Sequence, residues 1–284
     1  MNLKNHMMQS LYNLILHLIL LLHFLAFGAQ EQIEPMSAFK WERLYQIAML
    51  HDVIPYAYQG ITNCRSQFFM RITDKQEQTW KRANDEIAAH QTEEEEDTFL
   101  RADTLTNPVL NSQLQNILDD EHSDITSRQV LLQLVRVVRH ILNEGMPIRQ
   151  LLELGLLLHQ HGKEINYDQL RQWIKRLRLT QMCQLEGECL ILLFGFHAED
   201  LPFVSDRQSK RTSQIAQELL EFTNTRSHDW YFSQDADSIF VHNSNSSAMF
   251  SHVRRSSRYF RYYPSEGLTN FFASFVHSLS HIEE

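Results

Sequence analysis

Asp235 and Asp237, one residue apart, form the chain's single Asp-x-Asp and its best candidate for metal-dependent phosphoryl chemistry. On a strand, alternate side chains share a face, so both carboxylates would meet one divalent ion. No glycine turn precedes them to let a phosphate approach the backbone. They also lie in a segment rich in Ser, Asn and Asp, residues 227–249, which reads as a long polar loop or small hairpin. The pair is therefore a weak metal candidate set against a solvated loop. His277 and His281 stand four apart and share a helical face, which is zinc-compatible spacing. No Glu lies beside the first and no third ligand is evident. His159 and His161 are two apart at a helix end and do not share a face.

Arg149 falls in the first turn of an expected helix, where the helix dipole disfavours a cation. Either it pairs with a carboxylate, Glu153 at i+4 or Glu144, or, as the resemblance given below would allow, it contacts phosphate bound by the helical frame. Arg254, Arg255, Arg258 and Arg261 alternate with Tyr259, Phe260, Tyr262 and Tyr263. Such interleaving suits stacking on nucleic acid, and it equally suits a packed helix with a snorkelling basic face. No residue is assigned a catalytic role.

These side chains need a frame, and the composition says which kind. Only 8 glycines and 6 prolines occur among 284 residues, so few turns are signalled and long helices are favoured. The formal net charge of -9 argues against general nucleic-acid binding, which needs a basic footprint. Three cysteines, Cys64, Cys183 and Cys189, form no even framework and no zinc spacing, and read as reduced thiols.

Apolar stripes at helical spacing recur. Trp41, Leu44, Tyr45, Ala48 and Met49 give one over 38–50, with Ser37 as N-cap. Asp52 to Pro55 breaks that helix, with Ile54 held extended by the proline that follows. Residues 73–91 form a polar helix with Trp80, Ala83, Ile87 and Ala88 on one side. The acidic run 92–97 is a solvated linker. Helical grammar returns at Asn107. Over 127–144, Leu131, Leu134, Val135, Val138, Ile141 and Leu142 share a face, and Gly145 suits the stop. Another helix follows Pro147 and ends at Gly162. The next turns Leu170, Trp173, Ile174 and Leu177 inward and Arg171, Lys175, Arg176 and Arg178 outward. Residues 181–196 are again apolar, and 212–223 form a short amphipathic helix. The expected fold is mainly α: a helical frame with a long polar loop or small hairpin near the C-terminus. It divides into an N-terminal helical segment 1–91, an acidic linker 92–106 and a C-terminal helical domain 107–284.

The apolar run 11–27 has three readings. It is a little short for a membrane span and carries Asn13, His17 and His23. A signal peptide would use Lys4 and the small-residue exit at Ala26-Phe27-Gly28. A buried helix, apolar nearly all round, is the third.

The segment Arg139 to Leu179, with Gly145, then Arg149-Gln150-Leu151, then Glu153 and an apolar run, resembles a family of uncharacterised nucleotidyltransferase-like proteins encoded beside bacterial surface-polysaccharide genes. Trp41 to Gly60 resembles that family's opening helices, and Phe260 to Leu268 its closing segment, where a proline and Glu precede a last helix. The family usually has Asp at the position of Glu153. Its catalytic domain would lie between the first two blocks, with a glycine turn and Asp-x-Asp on a strand. The short acidic stretch between Gln91 and Asn107 has no room for it. The resemblance thus implies the helical frame without the activity: a non-catalytic accessory or binding protein of a polysaccharide-synthesis system, with that system's proteins as partners. The alternative is a divergent metal-dependent nucleotidyltransferase. No cofactor is expected on the first reading, and magnesium on the second. Because a hydrophobic helix opens the family's fold, the resemblance favours the buried-helix reading of 11–27 and a cytoplasmic protein. The other readings would make it exported or membrane-associated.

Overall fold

The computed structural model describes residues 36–64, 72–90, 105–143, 148–204 and 262–269. Among these the chain is mainly α, with no strand. It divides into two compact units. One contains Met1–Thr98 with Pro147–Leu152, and the other Phe99–Met146 with Glu153–Glu284. The expected hairpin or loop at 227–249, the helix at 212–223, the acidic run 92–97 and the apolar run 11–27 lie outside the described residues.

The first unit contains α1 (Ala38–Leu50), α2 (Ile54–Cys64) and α3 (Asp74–His90), each packed on the other two. Ser37 caps α1, its hydroxyl accepting from the Lys40 N–H. Trp41, Leu44, Ile47 and Ala48 form the buried face of α1. Met49, expected inward, is half exposed, and Ile47 is buried instead. Helical rotation explains the exchange. Ile47 and Met49 sit on opposite flanks of the stripe, roughly 160° apart, so both cannot face one core. Trp80 of α3 is fully buried and meets Tyr45 edge to face, centroids 5.2 Å apart.

The break between α1 and α2 comes earlier than the sequence suggests. Ile54 opens α2, and Pro55 occupies its first turn, where a missing N–H costs nothing. The turn itself is His51-Asp52-Val53. The Val53 N–H donates to Ala48 O at 2.9 Å and the Asp52 N–H to Met49 O at 3.2 Å. That is a Schellman closure, with Asp52 at φ 55 in the left-handed position usually held by glycine.

In the second unit, Asn107 caps α4 (Pro108–Leu118) by accepting from the Val109 and Leu110 N–H groups, both at 3.1 Å. α5 (Ile125–Asn143) buries Val130, Leu131, Leu134, Val135, Val137, Val138, Ile141 and Leu142. Each such side chain contributes about 1.5–3 kcal/mol of transfer free energy, which makes α5 the unit's spine. α6 is Ile148–His161, and its residues 148–152 belong to the first unit. α7 (Tyr167–Arg176) starts at the Asn166 cap and turns Leu170, Trp173 and Ile174 inward. Arg171, Lys175, Arg176 and Arg178 are exposed, as their spacing requires. α8 (Thr180–Phe194) is buried nearly all round and ends at Gly195, φ 66. α5, α7 and α8 pack on one another. The segment at 262–269 closes this unit. Tyr263 is wholly buried and its hydroxyl donates to Leu177 O at 2.7 Å. Glu266, expected ahead of a last helix, lies within the helical turn at 264–269.

Among the described residues no helix is long and apolar enough to cross a membrane.

Candidate functional site

The turn between α1 and α2 meets the first turn of α6 through two consecutive pairs in the first unit. The Ile148 N–H donates to His51 Nδ1 at 3.3 Å. This satisfies one of the N–H groups that every helix start leaves without an intrahelical acceptor. An imidazole that accepts at Nδ1 carries its proton at Nε2. His51 is fully buried, and its Nε2 meets no partner among the described residues. Burial pushes its pKa down to about 4, so it is neutral at ordinary pH.

The next pair is ionic. Arg149 Nη1 donates to the Asp52 carboxylate. The Arg149 side chain is 19 % exposed and that of Asp52 53 %. Solvent screening keeps such a pair at roughly 0–1 kcal/mol. Asp52 was not among the partners the sequence suggested. Its left-handed turn carries the carboxylate to a helix start remote in sequence, and the negative charge there offsets the poor fit of Arg149 to the dipole. Glu153 accepts from Gln133 Nε2 at 3.4 Å in the second unit. Glu144 lies outside the described residues.

Arg149 also lines an open pocket of about 460 Å³ in the first unit, with Pro55, Tyr56, Tyr58, Gln59 and Thr62 of α2 and Asn84 of α3. The size suits a small molecule. Rings supply the apolar part of the lining, while two amides and three hydroxyls supply donors and acceptors. Thr62 already donates to Tyr58 O at 3.0 Å, so its oxygen is oriented as an acceptor. Among the described residues of the lining, Arg149 is the charged one.

No family model, curated protein or solved structure matches the chain.

Asp235, Asp237, His277, His281 and Arg254 to Arg261 lie outside the described residues. His159 and His161 sit in the last turn of α6, and His161 Nδ1 is 3.1 Å from a Glu164 oxygen. That contact suits a helix end better than a metal. Among the described residues no group of three or more His, Cys, Asp or Glu is placed to hold a metal ion. Cys183 and Cys189 are free and buried. Burial first, and then the nearby Glu186 carboxyl, pushes both thiols up, which leaves them poor nucleophiles.

Among the described residues Glu186, Glu188 and Glu266 are buried carboxyls, and their burial was not read from the sequence. Glu186 is fully buried in α8, with neither oxygen partnered among the described residues. Burial pushes its pKa well up, and it packs as a neutral acid. Its apolar neighbours were the available signal. Glu266 is also fully buried, but it accepts from the Asn107 N–H at 2.8 Å and from the Thr106 N–H, with Arg139 Nη1 3.6 Å away. Only long-range pairing could have revealed that role.

Proposed function

We propose that this chain is a non-catalytic binding protein whose site is the pocket of Pro55, Tyr56, Tyr58, Gln59, Thr62, Asn84 and Arg149. The observation that carries this reading is the make-up of that lining. It offers ring faces and hydrogen-bonding groups of both senses, with a cation fixed at one side. Among the described residues the lining has no thiol, histidine or carboxylate to act as nucleophile or base. Such a site holds a small polar molecule and leaves it unchanged. An accessory role in surface-polysaccharide synthesis is the biological setting suggested by the segment Arg139 to Leu179, and a lining of this kind is compatible with it.

The test is calorimetric titration of the purified full chain with D-glucose and N-acetylglucosamine at millimolar concentrations, with the ligand recovered and weighed by mass spectrometry. Saturable binding, unchanged ligand and weaker binding by Tyr58→Ala are expected. Metal-dependent transfer from a nucleoside triphosphate, abolished by Asp235→Asn with Asp237→Asn, would replace this reading with a divergent nucleotidyltransferase.

A further inference from the structure

We infer that α8 carries a proton-held latch: Glu186 in its acid form keeps the helix shut, and its ionisation opens α8 and exposes the thiols of Cys183 and Cys189. Glu186 stands in the middle of α8, and both of its oxygens are buried without a partner among the described residues. Cys183 and Cys189 lie three residues to either side, so the three side chains fall within about a third of the helix circumference. Both thiols are fully buried and free. A carboxylate in that setting would have neither a donor nor water, so the closed helix holds the acid and refuses the anion.

The groups around Glu186 give its charge no relief. On α8 itself they are the two thiols and Glu188, all acids, and Glu188 accepts from Gln184 Nε2 at 2.7 Å. From the closing segment, Tyr263 lies close enough to Cys183 to feel its charge, and its hydroxyl is committed to Leu177 O. α7 packs on α8 with Leu170, Trp173 and Ile174, and its cations Arg171, Lys175 and Arg176 are exposed, as is Arg178 beyond its end. α5 packs on α8 too, and its buried residues are uncharged. Its half-buried Arg128 donates to Leu118 O, Arg136 to Gln133 and Arg139 to Thr106, while His140 is half-buried in the last turn. Gly155 of α6 approaches Leu190, and the Glu153 of that helix accepts from Gln133 while His159 is exposed. Phe203 and Val204 close over Gly187, with Glu199 and Asp200 before them exposed. Burial therefore sets the protonation of Glu186 and pushes its carboxyl well above the ordinary 4.5.

The direction of the pH dependence follows. In an opened α8 the carboxyl meets water and ionises in its ordinary range. Above pH 4.5 the open form has lost a proton that the closed form keeps. Opening is favoured further with each step up in pH, until the raised pKa of the closed form is reached. One linked proton changes the open population by up to about tenfold per pH unit. The thiols, inert while buried, regain ordinary reactivity in the open form.

The experiment labels the native full chain with iodoacetamide at pH 6, 7 and 8. Peptide mass spectrometry gives the rates at Cys183 and Cys189 separately from Cys64. Glu186→Gln keeps the side chain's size and removes its ionisation. The intrinsic pH dependence of a thiol is common to both proteins and cancels in the ratio of their rates. The ratio of wild type to variant should rise by roughly threefold or more per pH unit at both cysteines. A role in packing alone would shift the ratio equally at every pH. Circular dichroism establishes that the variant is folded. Should Glu186→Gln fail to fold, Glu186→Leu is the neutral reference under the same criterion. If neither folds, wild-type rates divided by those of the urea-unfolded chain carry the same test. A ratio that is constant across the range overturns the latch. So does a wild type that stays unlabelled at Cys183 and Cys189 at pH 8 while the urea-unfolded chain labels fully.

Discussion

The Glu266 carboxylate accepts the backbone N–H of Asn107 at 2.8 Å across 159 residues of chain. It also takes the Thr106 N–H, so a buried acid from the closing segment covers the residues that lead into α4. Asn107 is itself the cap of that helix. The two caps act in series, and Arg139 nearby balances the charge.

Glu266→Ala should cost on the order of 3 kcal/mol, because it removes the buried carboxylate that takes two part-buried N–H groups and faces the Arg139 charge. Glu266→Gln should recover part of that loss, since an amide still accepts with one oxygen. Urea denaturation followed by circular dichroism measures both. A loss below about 1 kcal/mol in the alanine variant would mean that water satisfies these donors and that the carboxylate is dispensable.

The sequence displayed much of the frame and little of the site. Ser37 before Ala38 was legible as a cap because capping is local chemistry, whereas Asn107 and Asn166 show their capping role only in the structure. The inward set Leu170, Trp173 and Ile174 was legible because α7 has one wet face and one dry face. Ile47 was missed because the flank of a stripe is decided by neighbouring helices. The pocket could not be read at all. Tyr58 and Gln59 of α2 join Asn84 of α3 and Arg149 of α6 only after the chain folds. Arg149 was singled out for its misfit with the helix dipole, but its partner Asp52 is 97 residues away.

Gly187 marks a close approach within the second unit. A Cβ there would lie 2.1 Å from Val204 Cγ2. Alanine in mid-helix is favoured over glycine by about 1 kcal/mol, but forcing a methyl into a filled site costs roughly 1–3 kcal/mol. Gly187→Ala should therefore be neutral to destabilising by about 2 kcal/mol. Adding Val204→Ala opens the space, so the double variant should be more stable than the sum of the single effects predicts. Simple additivity in a double-mutant cycle would show that these two residues do not share the space.

Arg178 tests the opposite sign. It sits at φ 58 after α7, where the Leu179 N–H donates to Ile174 O at 2.9 Å and its own N–H to Lys175 O at 3.1 Å. This is the same closure that Asp52 makes, and an L side chain there costs roughly 1–2 kcal/mol. Arg178→Gly removes that strain but frees the unfolded chain by about 0.4–1 kcal/mol. Strain relief is the larger effect, so the variant should gain on the order of 0.5–1 kcal/mol in urea. A clear loss would show that the exposed arginine makes a compensating contact.

His51 makes the stability of the first unit depend on pH. Its pKa falls from 6.5 to about 4 on burial. Between those values the unfolded chain binds a proton that the folded one refuses. Stability therefore rises with pH across the window. The contribution is complete above about pH 6.5 and is lost as pH falls to about 4. Two and a half units correspond to about 3 kcal/mol. Carboxylates also titrate near the lower end, so a single stability curve would not isolate the histidine. The difference between wild type and His51→Gln does, because every other group cancels to first order. Glutamine can accept the Ile148 N–H and does not titrate. At pH 7 wild type should be the more stable, by the imidazole's better fit. That advantage should shrink by about 3 kcal/mol toward pH 4, and it reverses there if the fit is worth less than the titration. Urea midpoints at half-unit steps from pH 4 to pH 7 measure it. Parallel curves would show that His51 keeps an ordinary pKa and that water reaches its Nε2.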